Sequence, residues 1–252
     1  MKHFVFFMVV ISFSLLIWGC SEEIQSPTAS MESEESMLVE DEEFQVDSHM
    51  WGEESTIEYE VTLENLTPAT GDISSQPFSP PVLATHKSGI QLFKRHHYAS
   101  DELRQIAEDA VNGPMVERLK NSRKVAFVVE GTGVIFPEES DSFIIKAKRG
   151  YNKLSLVCML VNTNDAFAGI SKAKLPRRGE KIYYIYAYDA GTEKNTELTD
   201  HIPGPCCGNP LVRVPTHEKI KYHHGIMGIG DLDPGIYGWN KKVAKLTIRR
   251  VD

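Results

Sequence analysis

The sequence predicts an all-β fold, an antiparallel β-sandwich, on three observations. Short runs such as "STIEYEVTLENLTP" place apolar residues at every second position, here Ile57, Tyr59, Val61 and Leu63, so that one face is buried. These runs are rich in β-branched and aromatic residues and are bounded by Gly, Pro, Asn or Asp. No regular alternation of strand with long helix occurs, which argues against a parallel βαβ architecture.

Taken in order, the chain opens with "MKHFVFFMVVISFSLLIWGC": a basic Lys2, an apolar run from Phe4 to Trp18, then Gly19-Cys20. This pattern reads as a secretory leader, too short for a confident membrane span. Its end, "IWGCSEE", resembles a bacterial lipobox, which implies lipidation of Cys20, with Trp18 a bulky departure from the pattern. Acyl chains contribute about 0.8 kcal/mol per buried methylene, so two or more would hold the chain at a membrane. Ser21 is unlike the Asp that retains lipoproteins at the inner membrane, so the expected address is the outer membrane or cell surface. Residues 21–55 hold 12 Asp and Glu and no Lys or Arg, and self-repulsion predicts an extended acidic tether. The domain boundaries expected are therefore 1–20, 21–55 and 56–252.

In the last of these the predicted strands are Ser55 to Pro68, "KVAFVVEG", "SFIIKAKR", "KLSLVCMLV", "KIYYIYAY" and "VAKLTIRRV". One stretch, "YASDELRQIAEDAVNGPMVERLKNS", is helical instead. Ser100 is the N-cap, and Leu103, Ile106, Ala107 and Ala110 follow at helical spacing. Asn112-Gly113 is the expected stop and Pro114 the start of a second short helix. The pair is expected to pack across an open end of the sandwich.

Charge narrows the function classes. The chain carries a formal net charge of -8, but residues 56–252 hold 26 basic and 23 acidic residues. No dense Lys/Arg stripe interleaved with aromatics stands out in the sequence, so no nucleic-acid partner is expected.

Oxygen-rich loops are the first candidates for chemistry. Asp165 lies in "VNTNDAFAG", and Asp189 and Glu193 lie in "AYDAGTE", each following a predicted strand. Loops that follow strands of the same direction cluster at one end of a sandwich, where these carboxylates could converge on calcium. Turn carboxylates also commonly satisfy their own backbone, and spacing alone leaves both readings open.

Five blocks, "FSPPVLATHKSGIQLF", "SDELRQIAEDAVNGPMVERL", "LSLVCMLVNTNDAFAGI", "YAYDAGTEKNTEL" and "GIMGIGDLDP", together resemble the spondin N-terminal domain family, known from F-spondin and mindin. The similarity runs from about Tyr59 to Arg250. The resemblance implies an eight-stranded antiparallel β-sandwich, similar to calcium- and lipid-binding sandwich domains, with one or two short helices. It also implies a calcium ion held by Asp165, Asp189 and Glu193, where Glu193 stands in place of a shorter Asp in the animal proteins.

Other groups are weaker candidates. His223 and His224 are adjacent, so on a strand they face opposite sides and cannot easily share a metal. With Cys20 lipidated, Cys158, Cys206 and Cys207 remain, and their pairing is left open. No G-x-S-x-G, H-E-x-x-H or phosphate-binding loop occurs, though Cys207 with His224 can be imagined as nucleophile and base. The reading is a lipid-anchored, calcium-binding, non-enzymatic recognition or adhesion module, with an unidentified protein or glycan as partner. The alternatives are an envelope enzyme using a His/Cys or His/Asp pair, and a calcium-independent accessory lipoprotein.

Overall fold

The computed structural model describes residues 55–69, 75–208 and 210–251. The expected leader, Cys20 and the tether as far as residue 54 lie outside the described residues. The described residues all belong to one compact unit.

Among the described residues nine strands form: β1 (Thr56–Asn65), β2 (Val82–His86), β3 (Val125–Glu130), β4 (Ser140–Lys148), β5 (Lys153–Met159), β6 (Ala166–Lys174), β7 (Glu180–Asp189), β8 (Lys221–Tyr222) and β9 (Lys242–Val251). All pairings are antiparallel, in the order β3-β2-β5-β6-β7-β9-β1-β4, with β8 added beside β7. The two ends of this row come together. Thr85 Oγ1 of β2 donates to Lys146 O of β4 at 2.7 Å, and β3 lies against β4, so the sheet is nearly closed around its core. The expected all-β antiparallel class is observed, as one curled, sandwich-like sheet with nine strands rather than eight, of which β8 is only two residues long.

Alternation builds the interior. Tyr59, Val61 and Leu63 of β1 meet Phe143 and Ile145 of β4, Leu156 and Cys158 of β5, and Leu246 and Ile248 of β9. The intervening β1 residues Glu60 and Glu64 face outward and pair with Arg249 and Lys245 of β9.

Two helices, α1 (Asp101–Asp109) and α2 (Gly113–Lys120), follow the expected pattern locally. The Ser100 hydroxyl accepts from Leu103 N, and Pro114 sits in the first turn of α2. The stop of α1 comes earlier than expected, at Ala110, whose backbone is left-handed with φ 56°. Their location also differs from expectation. Leu103, Ile106, Ala107, Met115 and Leu119 pack on Val82 and Ala84 of β2, Val157 of β5 and Phe167 of β6. The helices therefore cover the outer face of the sheet rather than an open end. With both faces buried, β2 has five buried residues in succession and no alternation to read.

Ile106 is wholly buried between α1 and the sheet. Replacing it with Ala is expected to cost about 2–5 kcal/mol, measured by denaturant unfolding, while the β-sheet circular dichroism persists.

Candidate metal centre

Strands β5 and β7 both run antiparallel to β6, so the segment after β5 and the end of β7 lie at one end of the sheet. Ala166 pairs with Asp189, which sets Asp165 beside Asp189 and Ala190. The backbone N–H of Ala190 donates to Asp165 O at 3.2 Å. Asp165, Asp189 and Glu193 are 0%, 2% and 4% exposed. Solvated turn residues would not be buried so completely.

Two turns shape this end. Asp189 Oδ1 accepts from Gly191 N at 2.7 Å, an Asx-type turn that folds the chain straight back after β7. Gly191 has φ +74°, and a Cβ there would lie 2.5 Å from Glu218 O, so only glycine fits. The turn then presents its next amides to the neighbouring strand. Asp165 Oδ2 accepts from Thr192 N at 2.8 Å, Glu193 N at 3.0 Å and Thr192 Oγ1 at 3.2 Å. In the segment before β6, Thr163 Oγ1 donates to Leu160 O at 2.6 Å and accepts from Ala166 N at 3.0 Å, which fixes the approach to Asp165.

The electrostatics are not balanced inside this cluster. Asp165 Oδ1 and Glu193 Oε2 are buried and have no hydrogen-bond partner among the described residues. Burial, reinforced by the negative charge of Asp189, pushes the Asp165 carboxyl up to about 7. Asp189 Oδ2 accepts from Asn195 Nδ2 at 2.8 Å and stands 3.6 Å from Lys221 Nζ. Burial also raises the Glu193 carboxyl, against the pull of Arg213, whose Nη1 donates to Glu193 Oε1 at 2.7 Å. Arg213 further binds Asp109 and stands 3.9 Å from Glu108, tying this loop to the end of α1.

The three predicted residues thus share one end of the sheet, but not one arrangement. Among the described residues no group of three His, Cys, Asp or Glu side chains is placed to hold a metal ion. Asp165 and Asp189 face the same charge problem, whereas Glu193 has turned one oxygen to Arg213. A hard cation fits the donor chemistry: carboxylate oxygens, one of them orphaned on each of Asp165 and Glu193, buried where an uncompensated charge is costly. Arg213, Asn195 and Lys221 were not anticipated. Arg213 and Asn195 come from irregular segments, and Lys221 from β8, which at two residues is too short for periodicity to mark a partner.

The histidines and the remaining cysteines take other roles. Asn195 Oδ1 accepts from His223 Nε2 at 3.2 Å, and His223 Nδ1 accepts from Gly225 N at 3.0 Å, so Asp189, Asn195 and His223 form one chain of hydrogen bonds. His223 is half-buried and His224 exposed. Cys206 and Cys207 form a disulfide between adjacent residues, and Cys158 is a buried free thiol. The Cys207–His224 pair therefore has no free thiol. His86 and Ser155 are hydrogen-bonded at 2.8 Å, but both are wholly buried.

A family model described as Spondin_N matches residues 67–203. The chain belongs to the spondin N-terminal domain family. No curated protein matches it. The matched residues of this spondin domain include Asp165, Asp189 and Glu193, while Arg213, Lys221 and His223 follow the match.

The Asp165 shift carries a sign. Its folded pKa lies above the unfolded value of 3.8, so the unfolded chain ionises first and this group's stabilising contribution falls as pH rises from about 4 to about 7. In chelator, the stability of the chain relative to its Asp165→Asn variant is expected to decline across that window and level off above it, read by urea unfolding at successive pH values. Separately, Gly191→Ala is expected to lose at least about 1–3 kcal/mol, from backbone strain and the clash with Glu218 O, measured in the same way.

Proposed function

We propose that this chain is a lipid-anchored, cell-envelope spondin-domain protein that binds calcium and serves as a non-enzymatic recognition or adhesion module. The observation that carries the calcium reading is the buried Asp165, its Oδ1 without a partner and its charge opposed by Asp189. Asp165 and Asp189 would hold the ion, with Glu193 reaching it through its free oxygen or a bridging water while Arg213 keeps the other. The ion would supply positive charge and stiffen the turn that follows β7. No reaction is assigned to it.

The envelope address rests on the leader-like N-terminus, with Cys20 as the lipidated residue and residues 21–55 as the acidic spacer, giving an outer-membrane or cell-surface location. A recognition role for the domain, toward a protein or glycan at the cell surface, is consistent with the large apolar side chains exposed on its loops, among them Leu211, Met227 and Ile229.

The test is thermal melting of the full chain. Extracellular modules hold calcium with dissociation constants of about 10⁻⁴–10⁻³ M. Ten millimolar calcium would then add roughly 1.4–2.7 kcal/mol, a rise of about 3–10 °C for a domain of this size. That rise is expected over chelator in the wild type and is expected to vanish in Asp165→Asn, Asp189→Asn. Equal curves would remove calcium and leave the accessory-lipoprotein reading.

A further inference from the structure

The outward face of β7 carries a second feature, away from the acid cluster. Tyr184, Tyr186 and Tyr188 alternate with inward residues along the strand, and Tyr222 of β8 pairs opposite Tyr188. The rings touch in sequence: Tyr186 to Tyr222 at 5.3 Å, Tyr222 to Tyr188 at 5.2 Å, and Tyr188 onto Phe93 at 4.9 Å. Gly169 of β6 lies beneath, and a Cβ there would come within 2.7 Å of Phe93, so its absence makes room for that ring, which is tilted 56° against Tyr188. The outer members stay open to solvent, with Tyr184 50% and Tyr222 44% exposed.

Above these rings is a concavity of about 280 Å³. Its lining includes Lys94 and Arg95 and no acidic residue. Arg95 lies 4.6 Å over the Tyr222 ring, and Lys242 lies 4.1 Å over Tyr184. Lys94, Arg95 and Lys242 form no ion pair among the described residues. Ser171 also borders the concavity, and its buried hydroxyl has no hydrogen-bond partner there. Aromatic planes, phenolic hydroxyls, an unspent hydroxyl and a few unpaired cations are thus collected on one face. Most of it was invisible in the chain, because Lys94 and Arg95 reach the face from a segment about 90 residues before β7.

We propose that this face is a binding site for an acidic polysaccharide, a sugar chain in which some rings bear a carboxylate or sulfate. The flat apolar faces of sugar rings would lie on the exposed tyrosines, their hydroxyls would meet the phenols and Ser171, and the acid groups would meet Arg95, Lys94 and Lys242. The sparse charge favours this occupant over nucleic acid. A nucleic acid carries one negative charge per nucleotide and calls for a dense cationic stripe, whereas here three cations stand among four tyrosines. The site deepens the recognition reading above, yet is independent of the cation.

The test titrates the full chain with hyaluronan, which bears a carboxylate on every second ring, with neutral dextran and with an oligothymidylate, following tyrosine and tryptophan fluorescence in low and in 0.5 M salt. The expected result is saturable binding to hyaluronan, weakened by salt, with dextran and the oligonucleotide at least tenfold weaker. Tyr184→Ala and Arg95→Gln are each expected to weaken binding about tenfold while the melting temperature stays put, and EDTA to leave it unchanged. The proposal is overturned if hyaluronan does not bind, if both variants bind like the wild type, if the oligonucleotide or dextran binds as tightly, or if EDTA abolishes binding. Only the last outcome would move the ligand to the acid cluster. A calcium-insensitive melting curve would leave this face intact.

Discussion

Two carboxylates, Asp165 and Asp189, are buried side by side where β6 begins and β7 ends, and the structure around them is organised by that charge. Burying an ionised carboxylate without a partner is costly, and two neighbours of like sign aggravate it. The surroundings answer with dipoles and remote cations. Three donors from Thr192 and Glu193 converge on Asp165 Oδ2, while Lys221 and Asn195 approach Asp189. Asp165 Oδ1 still lacks a donor among the described residues, and this is the observation on which the proposed cation rests.

The acid cluster also holds distant segments together. Arg213 joins Glu193 to Asp109 and Glu108 at the end of α1, and Asn195 links Asp189 to His223. Burial lowers the His223 imidazole to about 4, so this ring is neutral in the native chain. Hydrogen bonds thus link Asp189 to the segment following β8, and Arg213 links Glu193 to the end of the first helix. The tyrosine face begins on the other side of the same strand, with Tyr188 immediately before Asp189.

Much of the fold was legible where one strand face meets water. β1, β4 and β7 alternate along most of their length and β9 from Ala244 to Arg249, and their expected and observed spans agree closely. β2 escaped a reading from periodicity because helices cover its outer side, and β6, "AFAGISKAK", because its small residues and Gly169 look like a loop. Gly169 proves to be a strand residue making room for Phe93. At the site, the acids and the glycine turn were readable because carboxylates after strands and a glycine requirement leave local marks. Their partners were not. Arg213 reaches the cluster from an irregular segment and Lys221 from the two-residue β8, both placed only by the finished fold, and the hydrogen-bond link from Asp189 to His223 has no sequence signature. The cysteine pairing was likewise undetermined until Cys206 and Cys207 were seen joined, leaving Cys158 in the core.

The central claim is that the Asp165–Asp189 pair is completed by a divalent cation. The most direct measurement is calorimetric titration of the chelator-stripped chain with calcium at pH 6, in two buffers of different ionisation enthalpy. The account predicts one site per chain, lost in Asp165→Asn, with protons released on binding because calcium displaces the proton that burial holds on Asp165. No binding heat in either buffer, or a site that survives Asp165→Asn unchanged, would contradict it.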